Sequence, residues 1–234
     1  MVASIVVVLP LLGVLAGVGD TVRRGRPRPT SGFVLGMVAL LLTLAAAAAA
    51  ALDGIEPLDL AFTTWGSAVE KLVVAAGLGG IAAGLFHWGS KMWGHRVAEP
   101  LGKLVTLLVL GGGALYAAGD LIAGANGQVP AAPTGVVETV QDGAELGAVL
   151  STIGGALLVL GGLLVVLAVL PAVLRRGPQA DPDPWGGQTL EWTTSSPPPI
   201  GNFVGPIPEV VSPSPLFDIK QATAAEHTPA KEES

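Results

Sequence analysis

The stretch from Leu146 to Leu174 runs for 29 residues without a charge. At 1.5 Å of rise per residue a helix of that length exceeds the roughly 20 residues needed to cross the hydrocarbon core of a bilayer. Arg175 and Arg176 then stop the run at a membrane surface, and Pro178, Pro182, Pro184 and Pro197 to Pro199 exclude any helical continuation. The residues beyond are expected to form an extended, Pro-rich strap, polyproline-like in backbone, with Trp185 and Trp192 at the level of the lipid headgroups.

The rest of the chain agrees with a membrane location. Half of its 234 residues are hydrophobic and only 13% are charged, giving a mean hydropathy of +0.63, far from the range of soluble domains. With no cysteine, disulfides, thiolate metal sites and cysteine nucleophiles are excluded. The net charge of −6 argues against nucleic acid as a partner.

Read in order, the apolar segments predict about five spans. The first, Met1 to Gly19, is followed rather than preceded by its basic cluster, the reverse of a cleavable signal peptide, so it is expected to be retained with the N-terminus outside. The others are Ser31 to Leu52, about Ala68 to Trp88, about Leu104 to Ala125, and Leu146 to Leu174. Connecting loops alternate between basic (Arg23, Arg24, Arg26, Arg28; then Lys91, Arg96, Lys103) and acidic (Asp53, Glu56, Asp59; then Glu138, Asp142, Glu145). The positive-inside rule then places the C-terminus in the cytoplasm of a multi-pass cell-membrane protein. Gly-xxx-Gly spacings at Gly13/Gly17, Gly32/Gly36 and Gly80/Gly84 predict close contacts between helices of the chain itself. Glu70, Lys71 and Asp120 are the charges within the spans, and an interfacial or helix–helix role is expected for them ahead of an ion pathway. The fold class is therefore all-α: a polytopic bundle over residues 1–176, a strap over 177–203, and a disordered tail over 204–234 that lacks a periodic apolar pattern.

The strap carries a specific series of residues: Asp183 to Trp185, Thr189 to Trp192, Ser196 to Pro199, and Asn202 with Phe203. This series resembles the C-terminal signature of cytochrome c oxidase subunit I, the core subunit of heme-copper oxidases. The likeness continues in His87 to Leu104, similar to the family's loop between its tenth and eleventh helices, in the turn Gly124 to Pro130, and in Glu145 to Gly155. The resemblance implies that the spans correspond to helices eight to twelve of that subunit. It further implies that Trp185, Thr189, Leu190, Glu191, Trp192, Pro198, Asn202 and Phe203 contact other membrane subunits of a terminal oxidase.

The family's chemistry does not carry over. Its tenth helix supplies a His-x-His pair as axial heme ligands, and the matching stations fall on Ala68 and Glu70. Ala131 and Ala132 stand where the family has the Arg pair that holds the heme propionates, and the lysine of its proton path falls near Val14. The copper ligands would lie on helices outside the matched region. Of the three histidines, His87 lies 17 residues past Glu70, about 25 Å along a helix, while His95 and His227 lie in a loop and in the tail. No pair has metal-ligand spacing on one helix face. The expectation is a scaffold or subunit of an aerobic respiratory oxidase, with no heme, copper or catalytic residue of its own, in contact with the bilayer and with partner subunits. Two alternatives stand beside it: one part of a split subunit I that reduces oxygen with a separate N-terminal half, and a small transporter or channel module.

Overall fold

The computed structural model describes residues 2–130 and 143–226. Among them are six α-helices and two short 3-10 turns, with no β-strand. The helices are α1 (Val2–Arg24), α2 (Ser31–Asp53), α3 (Trp65–Trp93), α4 (Glu99–Ala125), α5 (Ala144–Val173) and α6 (Pro215–Glu226). Four of these, α2 to α5, are long and apolar enough to cross a membrane.

Local chemistry sets their ends. Thr30 caps α2, its Oγ1 accepting the Phe33 N–H at 3.3 Å, which supplies one of the partners that the first turn of a helix lacks. Pro100 opens α4, where its missing N–H costs nothing. Gly94 closes α3 at φ +74°, a left-handed conformation that glycine adopts without strain, and its N–H bonds the Ser90 carbonyl at 3.0 Å.

The chain divides into two units, Met1–His87 with Ala98–Ala168, and Trp88–Val97 with Val169–Ser234. In the first, α2 packs on α1 and on α4. Small residues let backbones touch. A Cβ on Gly119 would fall on the Gly147 carbonyl of α5, and one on Gly154 would fall on the Tyr116 amide of α4. A Cβ on Gly112 would lie 3.1 Å from the Gly154 carbonyl, so the pairs Gly112/Gly119 and Gly147/Gly154 form one seam. In lipid such packing, rather than apolar transfer, drives helix association. Phe86, Leu35, Val105 and Val109 fill the interior, while Val73, Val74, Ile81, Leu163, Val166 and Leu167 stay exposed, an apolar exterior suited to acyl chains.

Two expectations need correction here. Of the Gly-xxx-Gly pairs, Gly32 lies close to α3, where a Cβ on it would be 3.1 Å from the Ala83 carbonyl, but a Cβ on Gly13, Gly17, Gly80 or Gly84 would meet nothing within 4 Å among the described residues. The seam between α4 and α5 instead uses glycines seven residues apart, two helical turns, which keeps them on one face as well as four does. Residues 204–234, expected to be disordered, contain α6. Pro215 and Leu216 are buried, the Leu216 N–H bonds the Gln188 carbonyl at 2.9 Å, and Ser212 Oγ donates to Asp218 Oδ2 at 2.5 Å beside the first turn. Docking thus stabilises a helix too short to persist alone.

Candidate functional site

Two polar constructions stand out against the apolar background, one in each unit. In the first unit, Lys71 of α3 reaches Asp120 of α4, Nζ to Oδ2 at 2.7 Å, and donates to Ser151 Oγ of α5 at 3.0 Å. Its ammonium lies 4.7 Å from the centroid of the Tyr116 ring, and Ser151 Oγ donates onward to the Tyr116 carbonyl at 2.9 Å. Thr64 Oγ1 adds a bond to the Asp120 carbonyl at 3.0 Å. Both charges are mostly covered, with side-chain exposures of 20% and 17%, so each desolvated group depends on the other. Three helices meet at this pair, the helix–helix role expected from the sequence. Glu70, next in the chain, is exposed.

In the second unit, Lys91 occupies the last turn of α3 and is buried. Its ammonium donates to the Thr194 carbonyl at 2.5 Å and to the Pro182 carbonyl at 3.1 Å. A Pro-rich segment without a regular ladder has few backbone partners of its own, and unmet carbonyls are costly once covered. Lys91 supplies donors at two points of the strap 12 residues apart in sequence. Above it Trp192 stacks on Trp88, ring centroids 5.3 Å apart and planes 11° from parallel. Trp192 is 5% exposed, so its expected place at the headgroups is replaced by packing within the chain.

Short backbone pairing completes the cradle. His95 and Gln179 form an antiparallel bridge; the Arg96 N–H bonds the Pro178 carbonyl and the Ala180 N–H bonds the Gly94 carbonyl, each at 3.0 Å. Arg96 pairs with Asp181, and Ser196 Oγ bonds the Asp181 carbonyl at 3.0 Å. At the outer edge Asp183 accepts the Gly187 N–H and the Lys220 ammonium of α6, both at 2.6 Å. Burial works to raise the Asp183 carboxyl, but the bonds from Lys220 and from the Gly187 and Gly186 amides outweigh it and hold it below the ordinary carboxylate value.

The residues singled out for partner contact therefore part company. Trp192 is spent internally, and Thr189 opens the turn Leu190–Thr193 by accepting the Trp192 N–H at 3.2 Å. Trp185 is half-buried. Leu190, Glu191, Pro198, Asn202 and Phe203 line a cleft of about 430 Å³ whose inner wall is Trp88, Lys91 and Met92. Lys91 was legible only as one charge of a basic loop, although it lies inside the stretch that carries the resemblance.

The stations for heme ligation do not fit that group. Ala68 is completely buried and Glu70 is exposed, so neither offers an imidazole. His87 sits beside α2, its Cβ about 3.0 Å from where a Cβ on Gly32 would be, and His95 Nδ1 lies 3.3 Å from the Trp93 carbonyl. No group of three or more metal-binding side chains occurs among the described residues. His227, Ala131 and Ala132 lie outside the described residues.

Four span-like helices with apolar exteriors, and a mostly covered charge pair where three of them meet, describe a multi-pass helical membrane protein. Comparison with curated proteins gives the relationship. The chain is 34% identical over 154 residues to cytochrome c oxidase subunit 1 of Bacillus subtilis (strain 168), a match that takes in 65% of this chain and 24% of that protein. It is 35% identical over 136 residues to cytochrome c oxidase subunit 1 of Alkalihalophilus pseudofirmus, covering 58% of this chain and 21% of that one. Against the heme-copper oxidase subunit I+III of Aeropyrum pernix the identity is 30% over 131 residues, with 54% of this chain and 15% of the other covered. The chain is a partial, divergent homologue of cytochrome c oxidase subunit 1, spanning a quarter or less of the length of these relatives. No family model matches it.

Proposed function

We propose that the chain is a counterpart of the C-terminal half of oxidase subunit I that serves as a scaffold subunit in an aerobic respiratory terminal oxidase and performs no redox chemistry alone. On this reading α1 is a fifth span, the N-terminus is outside, and the C-terminus is cytoplasmic. The observation that carries it is the cradle around Lys91. Two stretches of oxidase-like sequence, His87 to Leu104 and Asp183 to Phe203, lie some 90 residues apart, and Lys91, Trp88 and Trp192 pin them together. A strap so fixed presents Leu190, Glu191, Pro198, Asn202 and Phe203 as a preorganised surface, which lowers the ordering cost of docking a partner. The absence of imidazole at positions 68 and 70 supports the non-catalytic half of the proposal.

Truncation after Arg176 tests it. The spans and the stop charges remain, so membrane insertion is expected to survive while co-purification with partner membrane subunits drops. Unchanged co-purification would show the strap to be no contact at all.

A further inference from the structure

Beside the start of α2 lies a groove of about 360 Å³ lined by Pro29, Ser31 and Val34 on one side and by Lys103, Thr106 and Leu107 of α4 on the other. We propose that this groove holds an anionic phospholipid, its phosphate at Lys103 and the Arg26–Arg28 segment and its acyl chain along Val34 and Leu107. Charge is the first argument. Lys103 lines the groove, and the segment that leads into its Pro29 carries Arg23, Arg24, Arg26 and Arg28 against one acid, Asp20, whereas the whole chain carries −6. Asp20 is shared by Arg23 and Arg24, and the Glu99 carboxylate accepts the Ser31 N–H at 3.1 Å and pairs with the Ser31 hydroxyl. Asp20 is thus paired within α1 and Glu99 is held on Ser31, while Arg26 and Lys103 are exposed and offer their charge outward.

Depth is the second argument. Pro29 precedes the Thr30 cap, Ser31 opens α2 and Lys103 lies within the first two turns of α4, so the cation sits at a helix end, where a membrane surface would lie. Thr106 and Leu107 are one turn further in, and Leu107 is 68% exposed despite being a large apolar side chain. A cationic mouth that continues into an apolar wall matches a phosphate joined to an acyl chain; a free anion would use only the mouth. Basic pockets between spans recognise acidic headgroups in this way. The proposal rests on the membrane location and is independent of the scaffold role.

The test uses the full chain in a neutral maltoside detergent, titrated with phosphatidylglycerol or phosphatidylcholine and read by native mass spectrometry. Phosphatidylglycerol is expected to bind at least tenfold more tightly than phosphatidylcholine. Arg26→Gln with Lys103→Gln, both at exposed positions, is expected to weaken phosphatidylglycerol roughly 30-fold and to leave phosphatidylcholine unchanged, taking each cation near a lipid surface at its usual strength. Arg175→Gln with Arg176→Gln removes as many charges elsewhere and is expected to change neither. Equal weakening by both double variants would overturn the site in favour of diffuse attraction, and so would undiminished binding to the Arg26→Gln, Lys103→Gln protein. Displacement of the lipid by millimolar inorganic phosphate would reassign the groove to a free anion and sink the lipid.

Discussion

The seam between α4 and α5 and the cradle around Lys91 solve opposite problems. In the seam every backbone group is satisfied within its own helix, so what remains to be won is proximity, and glycine gives it by leaving nothing in the way. In the cradle the backbone is irregular, broken by bends and the short turn Leu190–Thr193, so no regular ladder pairs it, and a lysine with three N–H bonds reaches two carbonyls at once. One region is specified by atoms that are missing, the other by a single long side chain that is present. The two should therefore fail in different ways when altered.

The largest effect is expected at the seam. Gly154→Leu would drive a side chain into the Tyr116 backbone, where no rotamer relieves the overlap, at a cost of about 3 kcal/mol or more. Thermal unfolding in detergent, read by loss of helicity, should show the drop; a variant as stable as the parent would mean that α4 and α5 do not meet at these glycines. The cradle comes next. Lys91→Met keeps the apolar stem but leaves the Pro182 and Thr194 carbonyls unmet, about 2 to 3 kcal/mol confined to the strap. Limited proteolysis after residue 176 should accelerate while the helicity of the spans is kept, an outcome the seam variant would not give.

Much of this contrast could be read from the sequence, and the parts that could not have physical reasons. Spans α2 to α5 follow from apolar runs whose length alone is decisive. The seam is hidden in the sequence because the Gly-xxx-Gly pattern has a spacing of four, whereas Gly112/Gly119 and Gly147/Gly154 use seven. Lys91 escaped because its partners are carbonyls, which leave no trace in the side-chain pattern, on a segment some 90 residues away. For α6 a signal existed: prolines crowd the chain up to Pro215 and then are absent from Leu216 to Glu226, with a Ser-Pro step at the start. The absence of a clean apolar stripe concealed it.

The smallest expected effect lies at the outer edge of the cradle and sharpens the comparison by pH. Asp183 titrates below its ordinary value of 3.8, so the stability it lends is complete above that value and is lost as pH falls through its lowered folded value. Lys220 is half-exposed, which keeps the contribution small. As pH falls below 3.8 and through that lowered value, α6 should loosen slightly on the strap, visible as modestly faster amide exchange over Pro215–Glu226, and Lys220→Gln should loosen it to a similar small extent at neutral pH. The seam between α4 and α5 should not respond.

The sharpest disagreement between ancestry and residues concerns heme, since the relatives include a heme-copper oxidase while positions 68 and 70 hold alanine and glutamate. An iron without its axial imidazole loses its main bond to protein. The direct measurement is the absorption spectrum of the purified full chain in detergent with heme supplied. A scaffold subunit should show no Soret band beyond the protein-free control. A stoichiometric low-spin heme spectrum that disappears on His87→Ala would contradict it and make His87 a relocated ligand.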